Sequence, residues 1–410
     1  MAAALATAAA PASAKVQSAW VQMGPGGKPI ARLVIGGGSC PPIALDGRKL
    51  ATAPRAFPLS GQPTVVCERT LPVARGKATV GGRTYDLGAA ASPDRILVTG
   101  DTGCVVEKGF AQDCNDPQAW PFANVAASSA KTKPDLVIHV GDLLYREDPC
   151  PTGDTGCAGD PTGQSYATLR ADFFTPAKPL LAAAPWVVVR GNHENCNLDG
   201  PGWYRYFGLG SLKCRVFSAP YDLPLGGGLG LVVVDDAEAN YDNTDPAQVP
   251  IYAAQFRKAD ALARKYRFAW MTIHQPPFGI DGAPGGSFYN AGNATMLPAA
   301  LAAGGLSDRF LTIVSGHQHL LQVLDFGGRR ASQLTIGTGG GSLDTLYTTE
   351  VTGTDVGGIP VAAGLVEHDW GYSMLDRRSA TSWRMTQYDP RGRTLARCTL
   401  SGRRAACAPA

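Results

Sequence analysis

The sequence predicts a layered α/β domain preceded by a small β-rich segment, and three observations predict it. From Arg95 onward, short apolar runs alternate with stretches patterned as helices, the way strands and their covering helices read in a layered domain. Five of those runs end in a side chain that can titrate or ligate a metal. Before Arg95 the segments are brief and alternating, and Gly-Gly pairs and prolines separate them.

Composition bounds the function. The chain has 410 residues, enough for a full-sized core and one large domain plus a small one. With 37 basic and 34 acidic residues the net charge is +3, which gives no electrostatic case for nucleic acid or a membrane surface as partner. No apolar run reaches the roughly 18–20 residues of a membrane span. The 50 glycines and 31 prolines predict long loops.

Residues 1–14 are almost all alanine with a small-residue site at Ala12-Ser13-Ala14, and read as a signal peptide. No Lys or Arg precedes the apolar part, so the signal is atypical or truncated at its start. Residues 15–90 are expected to form the small β-rich domain, with strands near Ala31 to Ile35, Thr64 to Cys67 and Lys77 to Val80. Nothing in it is chemical in type, and a packing or rim role is expected. Residues 91–410 are expected to form the catalytic domain. Ten cysteines with no paired Cys-x-x-Cys pattern suggest disulfides in an oxidising compartment, hence a secreted or periplasmic protein. Sequential pairing, such as Cys150 with Cys157, is the simplest arrangement, although spacing does not fix the connectivity.

The strand ends carry the chemistry. Ile96 to Gly100 leads to Asp101, and Leu136 to Gly141 leads to Asp142, with Tyr145 three residues on. Trp186 to Gly191 leads to Asn192 and His193. Ala269 to Ile273 leads to His274, and Leu311 to Gly316 leads to His317 and His319. Ligands of α/β sheets bind beyond the carboxyl ends of strands, so these residues are expected to converge. A carboxylate bridges two cations because each oxygen can serve one. A phenol titrates near pH ~10 and becomes a ligand only for a strongly Lewis-acidic ion. Between the strands, Ala247 to Lys265 reads as an amphipathic covering helix. Arg146 to Gln164, Gly279 to Gly292 and Gly339 to Gly364 read as loops able to line a site mouth. Three strand-like pieces after Trp370 (Gly371 to Leu375, Ser382 to Tyr388, Thr394 to Leu400) are expected to close a sheet edge.

In this order, Asp101-x-Gly103, Gly141-Asp142-x-x-Tyr145, Gly191-Asn192-His193-Glu194, His274 and Gly316-His317-x-His319 resemble the calcineurin-like metallophosphoesterases, and within them the purple acid phosphatase branch. Most of the superfamily has a histidine where this chain has Gly103, and Tyr145 supplies the replacement, as in the purple enzymes. The resemblance covers roughly Arg95 to Phe326. It implies a four-layer α/β/β/α sandwich with the metals at the sandwich edge. It also implies two metal ions and a small phosphate-ester substrate. An Fe(III) would take Asp101, Asp142, Tyr145 and His319. A divalent ion (Fe, Zn or Mn) would take Asp142, Asn192, His274 and His317. Hard oxygens and phenolate suit the trivalent ion, imidazole and amide oxygen the divalent one. Two such ions roughly 3.5–4 Å apart clamp a phosphoryl group and make hydroxide available at mild pH to attack phosphorus.

His193 is left over from that ligand set and is the candidate catalytic residue, facing the phosphate or protonating the leaving group. Glu194 is expected to position its loop. The sequence departs from the purple branch in one place: Gln275 to Met296 contains no histidine after the His274-type ligand. His139 reads as a core residue, His368 as a rim candidate, and Asp235 and Asp236 as structural. Asn293-Ala294-Thr295 is a glycosylation sequon with meaning only in a eukaryotic secretory pathway. Two other functions stay open at this stage: a phosphodiesterase with two divalent metals and no Fe(III), and a secreted binding or structural protein that keeps the fold without activity. The second fits poorly, because a decaying site loses ligands and all seven are present.

Overall fold

A computed structural model describes residues 15–282, 288–289, 294–304, 306–345 and 349–410. The alanine-rich stretch 1–14, much of the Gly279 to Gly292 loop and the sequon's Asn293 lie outside the described residues.

Two large sheets face each other. The first has eleven strands, and at its centre Arg95–Thr99, Leu136–His139 and Trp186–Val188 run parallel. The second has seven strands. Leu229–Val233, Phe268–Thr272, Phe310–Ser315 and Ser332–Ile336 form its parallel part. The five apolar runs of the sequence are therefore shared between two sheets, three in one and two in the other.

Side-chain alternation along each strand builds the layers. Ile96, Val98, Ile138 and Val187 point into a core between the sheets, where they meet Leu231, Trp270, Val314 and Leu334. Their neighbours Leu97, Val137 and Val188 point outward and pack beneath Phe122, Val125 and Ala126 of helix Phe122–Lys131. On the far side, Val232, Met271 and Ile313 point away from the inter-sheet core. They pack beneath Tyr252, Phe256 and Ala259 of helix Gln248–Ala263 and beneath helix Met296–Ala302. The result is the four-layer α/β/β/α sandwich.

Residues 15–90 are β-rich, as expected. Four of their strands extend the eleven-stranded sheet: Val16–Met23 pairs in parallel with Trp186–Val188, and Pro29–Ile35, Val65–Thr70 and Ala53–Ala56 follow outward. The other four form a small sheet of their own. Val21, Leu33, Ile35, Val65, Val80 and Tyr85 make a core between them. At the opposite edge, Tyr372–Arg377 pairs with Arg95–Thr99, and Ser382–Tyr388, Thr394–Ser401 and Arg404–Pro409 complete the sheet. The last of these strands was not anticipated from the sequence.

All ten cysteines pair, and each pairs with its neighbour in sequence: Cys40–Cys67, Cys104–Cys114, Cys150–Cys157, Cys196–Cys214 and Cys398–Cys407. Among the described residues no helix is long and apolar enough to cross a membrane.

Candidate metal centre

The parallel strands of both sheets deliver their carboxyl ends to one edge of the sandwich. All eight site residues expected from the sequence meet there. The backbone turns sharply at three of them: Asp101 (φ 55°), Asp142 (φ 55°) and His317 (φ 74°) are left-handed, a conformation that non-glycine residues seldom adopt away from functional sites. Gly141 lets the chains close up, because a Cβ there would lie 2.3 Å from His274 Nδ1.

Gly103 and Tyr145 are coupled by space. A Cβ on Gly103 would lie 2.7 Å from the Tyr145 backbone nitrogen and 2.8 Å from its ring. The absence of a side chain at 103 is what lets the Tyr145 ring enter the site.

Two donor groups share Asp142. In the first, Tyr145 Oη lies 3.1 Å from Asp101 Oδ1, 2.8 Å from Asp142 Oδ2 and 2.7 Å from His319 Nε2. In the second, Asn192 Oδ1 lies 2.7 Å from His274 Nε2 and 2.9 Å from His317 Nδ1, and His274 Nε2 is 3.1 Å from Asp142 Oδ2. The ligand atoms of Asp142, His274 and His317 all lie within 4.8 Å of one another.

These atoms are short of protons. His319 Nδ1 donates to the Ser342 carbonyl at 2.6 Å, and His274 Nδ1 donates to the Val140 carbonyl at 2.8 Å. In the neutral ring the other nitrogen then presents a lone pair to the site. In the first group a single phenol proton faces two carboxylates and an imidazole lone pair. Asp101 Oδ2 is buried with no hydrogen-bond partner among the described residues. Convergent acceptors without matching donors are expensive to bury unless a cation joins them, so the set fits metal ions.

The charges tell the same story. Burial raises the Asp101 carboxyl to about 7, against the pull of His274 and His319. Burial also acts to raise Asp142, but His274, His193 and His317 hold it well below the usual range. Burial disfavours the charged form of His274, yet Asp142 and Asp101 carry it up to about 10. Burial and then the neighbouring Asp142 and Asp101 push the Tyr145 phenol well above its ordinary value. Without a cation, then, protons must fill the cluster.

His193 stands apart from both groups. Its Nδ1 meets Glu147 Oε1 at 2.7 Å, its backbone N–H donates to Asp142 Oδ1 at 3.1 Å, and its ring packs on Tyr145 with centroids 4.3 Å apart. Glu194 is a brace. It accepts N–H bonds from Gly191, Asp142, Leu143 and Leu144, and so ties two strand-end loops together. Asp236 accepts from the backbone of His274 and Gln275, and Asp235 pairs with Arg190, which agrees with structural roles. His139 is fully buried. It bonds Thr102 Oγ1 at 3.0 Å and lies 3.3 Å from the Gly141 N–H, as a core histidine should. His368 does not line the cavity over the cluster.

That cavity holds about 340 Å³. It is lined by Asp142, Tyr145, Asn192, His193, His317 and His319 and, among others, by Glu107, Tyr241, Asp242, Gln318 and Asp344. Sequence reasoning missed these five. Asp344 lies in the glycine-rich loop flagged as a mouth, and Glu147, also missed, lies in another such loop. Tyr241 packs edge-on to His317 at 5.0 Å and carried no pattern signal.

A four-layer sandwich with a proton-poor donor cluster at its strand ends defines the class: a metal-dependent phosphoester hydrolase. The chain belongs to the calcineurin-like phosphoesterase family, whose model matches residues 94–321. No curated protein matches it in sequence. Among solved structures it is similar to the purple acid phosphatase PPD1 from yellow lupin (Lupinus luteus) seeds, with a TM-score of 0.62 and 12% identity over 95% of this chain and 74% of that one. It is likewise similar to PhoD, with a TM-score of 0.61 and 12% identity over 96% of this chain and 92% of that one. At such identity the likeness speaks to the fold alone.

Proposed function

We propose that the chain hydrolyses small phosphate esters with a binuclear centre of the purple acid phosphatase kind. The first donor group (Asp101, Asp142, Tyr145, His319) would hold Fe(III), and the second (Asp142, Asn192, His274, His317) a divalent Fe, Zn or Mn. The observation that carries this is the partition of seven donors into two sets of four sharing Asp142, with one phenol in the first set. When bound, such ions polarise the phosphoryl oxygens and supply hydroxide at mild pH.

The chain's own residues would do the rest. Val140 and Ser342 carbonyls fix the tautomers of His274 and His319. Glu194 holds Asp142 and Asn192 at their separation. Glu147 occupies His193 Nδ1, which leaves Nε2 to meet a phosphoryl oxygen or to give its proton to the leaving-group oxygen.

A phosphodiesterase is the second reading, and one observation favours it. Among the described residues the cavity wall contains Glu107, Asp242 and Asp344 but no lysine or arginine, so a monoanionic diester meets less repulsion there than a dianionic monoester. Purification without chelator, metal analysis, a visible spectrum and turnover of p-nitrophenyl phosphate against bis-p-nitrophenyl phosphate separate the two. Iron with a charge-transfer band and monoester turnover supports the first reading. Two divalent ions, no colour and diester turnover select the second. No metal and no turnover of either would leave only a binding or structural role.

Five disulfides support export to an oxidising compartment, and residues 1–14 are the proposed signal. We also retain the division at about residue 90 as a proposal: a β-rich segment from 15 to 90 and a catalytic region from 91 to 410.

A further inference from the structure

A second cavity, of about 230 Å³, lies beside strand ends of both sheets, near the loop that carries Asn192 and His193. Val188 and Val189 at the end of one sheet and Val233 and Val234 at the end of the other form apolar walls, together with Trp203 and Leu209. It shares no lining residue with the cavity over the donor cluster.

Two lining residues carry donors that no described residue satisfies. Trp203 is 8% exposed and Tyr221 is half-buried. The indole N–H of Trp203 and the hydroxyl of Tyr221 are both buried with no hydrogen-bond partner among the described residues. A buried N–H or O–H without an acceptor costs about 1–3 kcal/mol, so two in one cavity call for an occupant that supplies acceptor oxygen. The buried guanidinium on the wall is committed. Arg190 donates to both oxygens of Asp235, at 3.1 and 3.0 Å, and to the Arg215 carbonyl at 2.9 Å.

Size and polarity set the ligand class. An apolar cavity of about 150 Å³ is known to admit benzene. The space here is larger, its walls are mostly aliphatic and aromatic, and both of its unmet groups, an indole N–H and a phenol O–H, can donate. We propose that this cavity is a ligand site for a compact, mainly apolar molecule bearing a carbonyl-type acceptor oxygen, held by Trp203 Nε1–H and Tyr221 O–H. The site does not depend on the phosphoesterase chemistry. It adjoins it, because Val189 and Arg190 line this cavity while Asn192 and His193, on the same chain segment, line the other. The Cys196–Cys214 bridge ties the two loops that flank it.

The test uses the full-length, metal-loaded protein and three fluorinated probes followed by 19F NMR: 4-fluoroacetophenone, 4-fluorotoluene and 4-fluorobenzoate. The ketone should bind saturably and at least about fivefold more tightly than 4-fluorotoluene, as one or two hydrogen bonds between neutral groups allow. Trp203→Phe and Tyr221→Phe should each remove most of that preference while leaving 4-fluorotoluene binding intact. Ala219→Trp, a substitution at the exposed rim, should block all three probes with the fold unchanged. Tighter binding of the benzoate than the ketone would overturn the neutral-acceptor class in favour of an anion. Equal binding of ketone and toluene, binding that ignores all three variants, or no saturable binding (the donors meeting water only) would overturn the proposal.

Discussion

At the scale of single residues, one oxygen carries the case for the proposed kind of metal centre. Tyr145 enters the site only because residue 103 is glycine, and its hydroxyl faces Asp101, Asp142 and His319 at once. Tyr145→Phe keeps the ring and removes that oxygen. The variant is expected to fold, to lose any visible charge-transfer band and to bind its first metal more weakly. A hydroxyl that merely packed would cost at most about 1–3 kcal/mol of stability and leave colour and iron content alone. Unchanged iron and an unchanged spectrum would remove the case for the purple branch. A second set of substitutions separates holding from acting. Asn192→Ala and His274→Ala should each empty the divalent position and abolish most turnover. His193→Ala should retain both metals and lose turnover, and Glu147→Gln should do the same more mildly, because only the orientation of His193 suffers. Metal analysis beside kcat reads both outcomes; a metal lost in His193→Ala would show that its role and a ligand's had been exchanged.

At the scale of elements, two strand-end loops are held in register by a buried side chain that does not line the cavity over the cluster. Glu194 collects four backbone N–H groups from the Asp142 and Asn192 loops, which leave neighbouring parallel strands. Glu194→Ala would orphan those donors in a buried place, at about 1–3 kcal/mol for each that finds no water. The expected result is a loss of roughly 3 kcal/mol or more in denaturant unfolding of the metal-free protein, together with weakened metal affinity, since the ligands then lose their spacing. An unaltered unfolding midpoint would mean that water replaces the carboxylate and that the brace is dispensable.

At the scale of the whole molecule, residues 15–90 and the strands that lead to the donor cluster share a sheet. Val16–Met23 covers the edge of Trp186–Val188, the strand that leads to Asn192 and His193. Removing residues 15–90 would bare the edge of Trp186–Val188 and uncover the apolar groups that Trp20 packs on, Phe174 and Phe207 among them. The truncated chain is therefore expected to be insoluble or inactive, as solubility and turnover after expression would show. A soluble, active product would show that the catalytic region stands alone. The bridges make a second expectation at this scale. Intact mass of protein from its native compartment, denatured but not reduced, should fall short of the reduced mass by two hydrogens per bridge. A full complement of free thiols would remove the case for export.

Much of this was legible along the chain because it is local. Apolar runs ending in Asp101, Asp142, Asn192, His274 and His317 are a one-dimensional pattern, and strand termini must gather where parallel strands end together. The pairing of Gly103 with Tyr145 could likewise be read as a swap of one ligand for another. What the sequence did not carry is set by contacts between segments far apart in it. Glu147 reaches His193 across 46 positions, and Tyr241 reaches His317 from a loop without periodic signal. The five runs gave no sign of dividing between two sheets, since a buried strand looks the same in either. Nor could composition show that Trp203 and Tyr221 would be left without acceptors. A strand's end follows from its own residues; which groups meet beyond it, and which donors are left unmet, is fixed only when separate loops close over the same space.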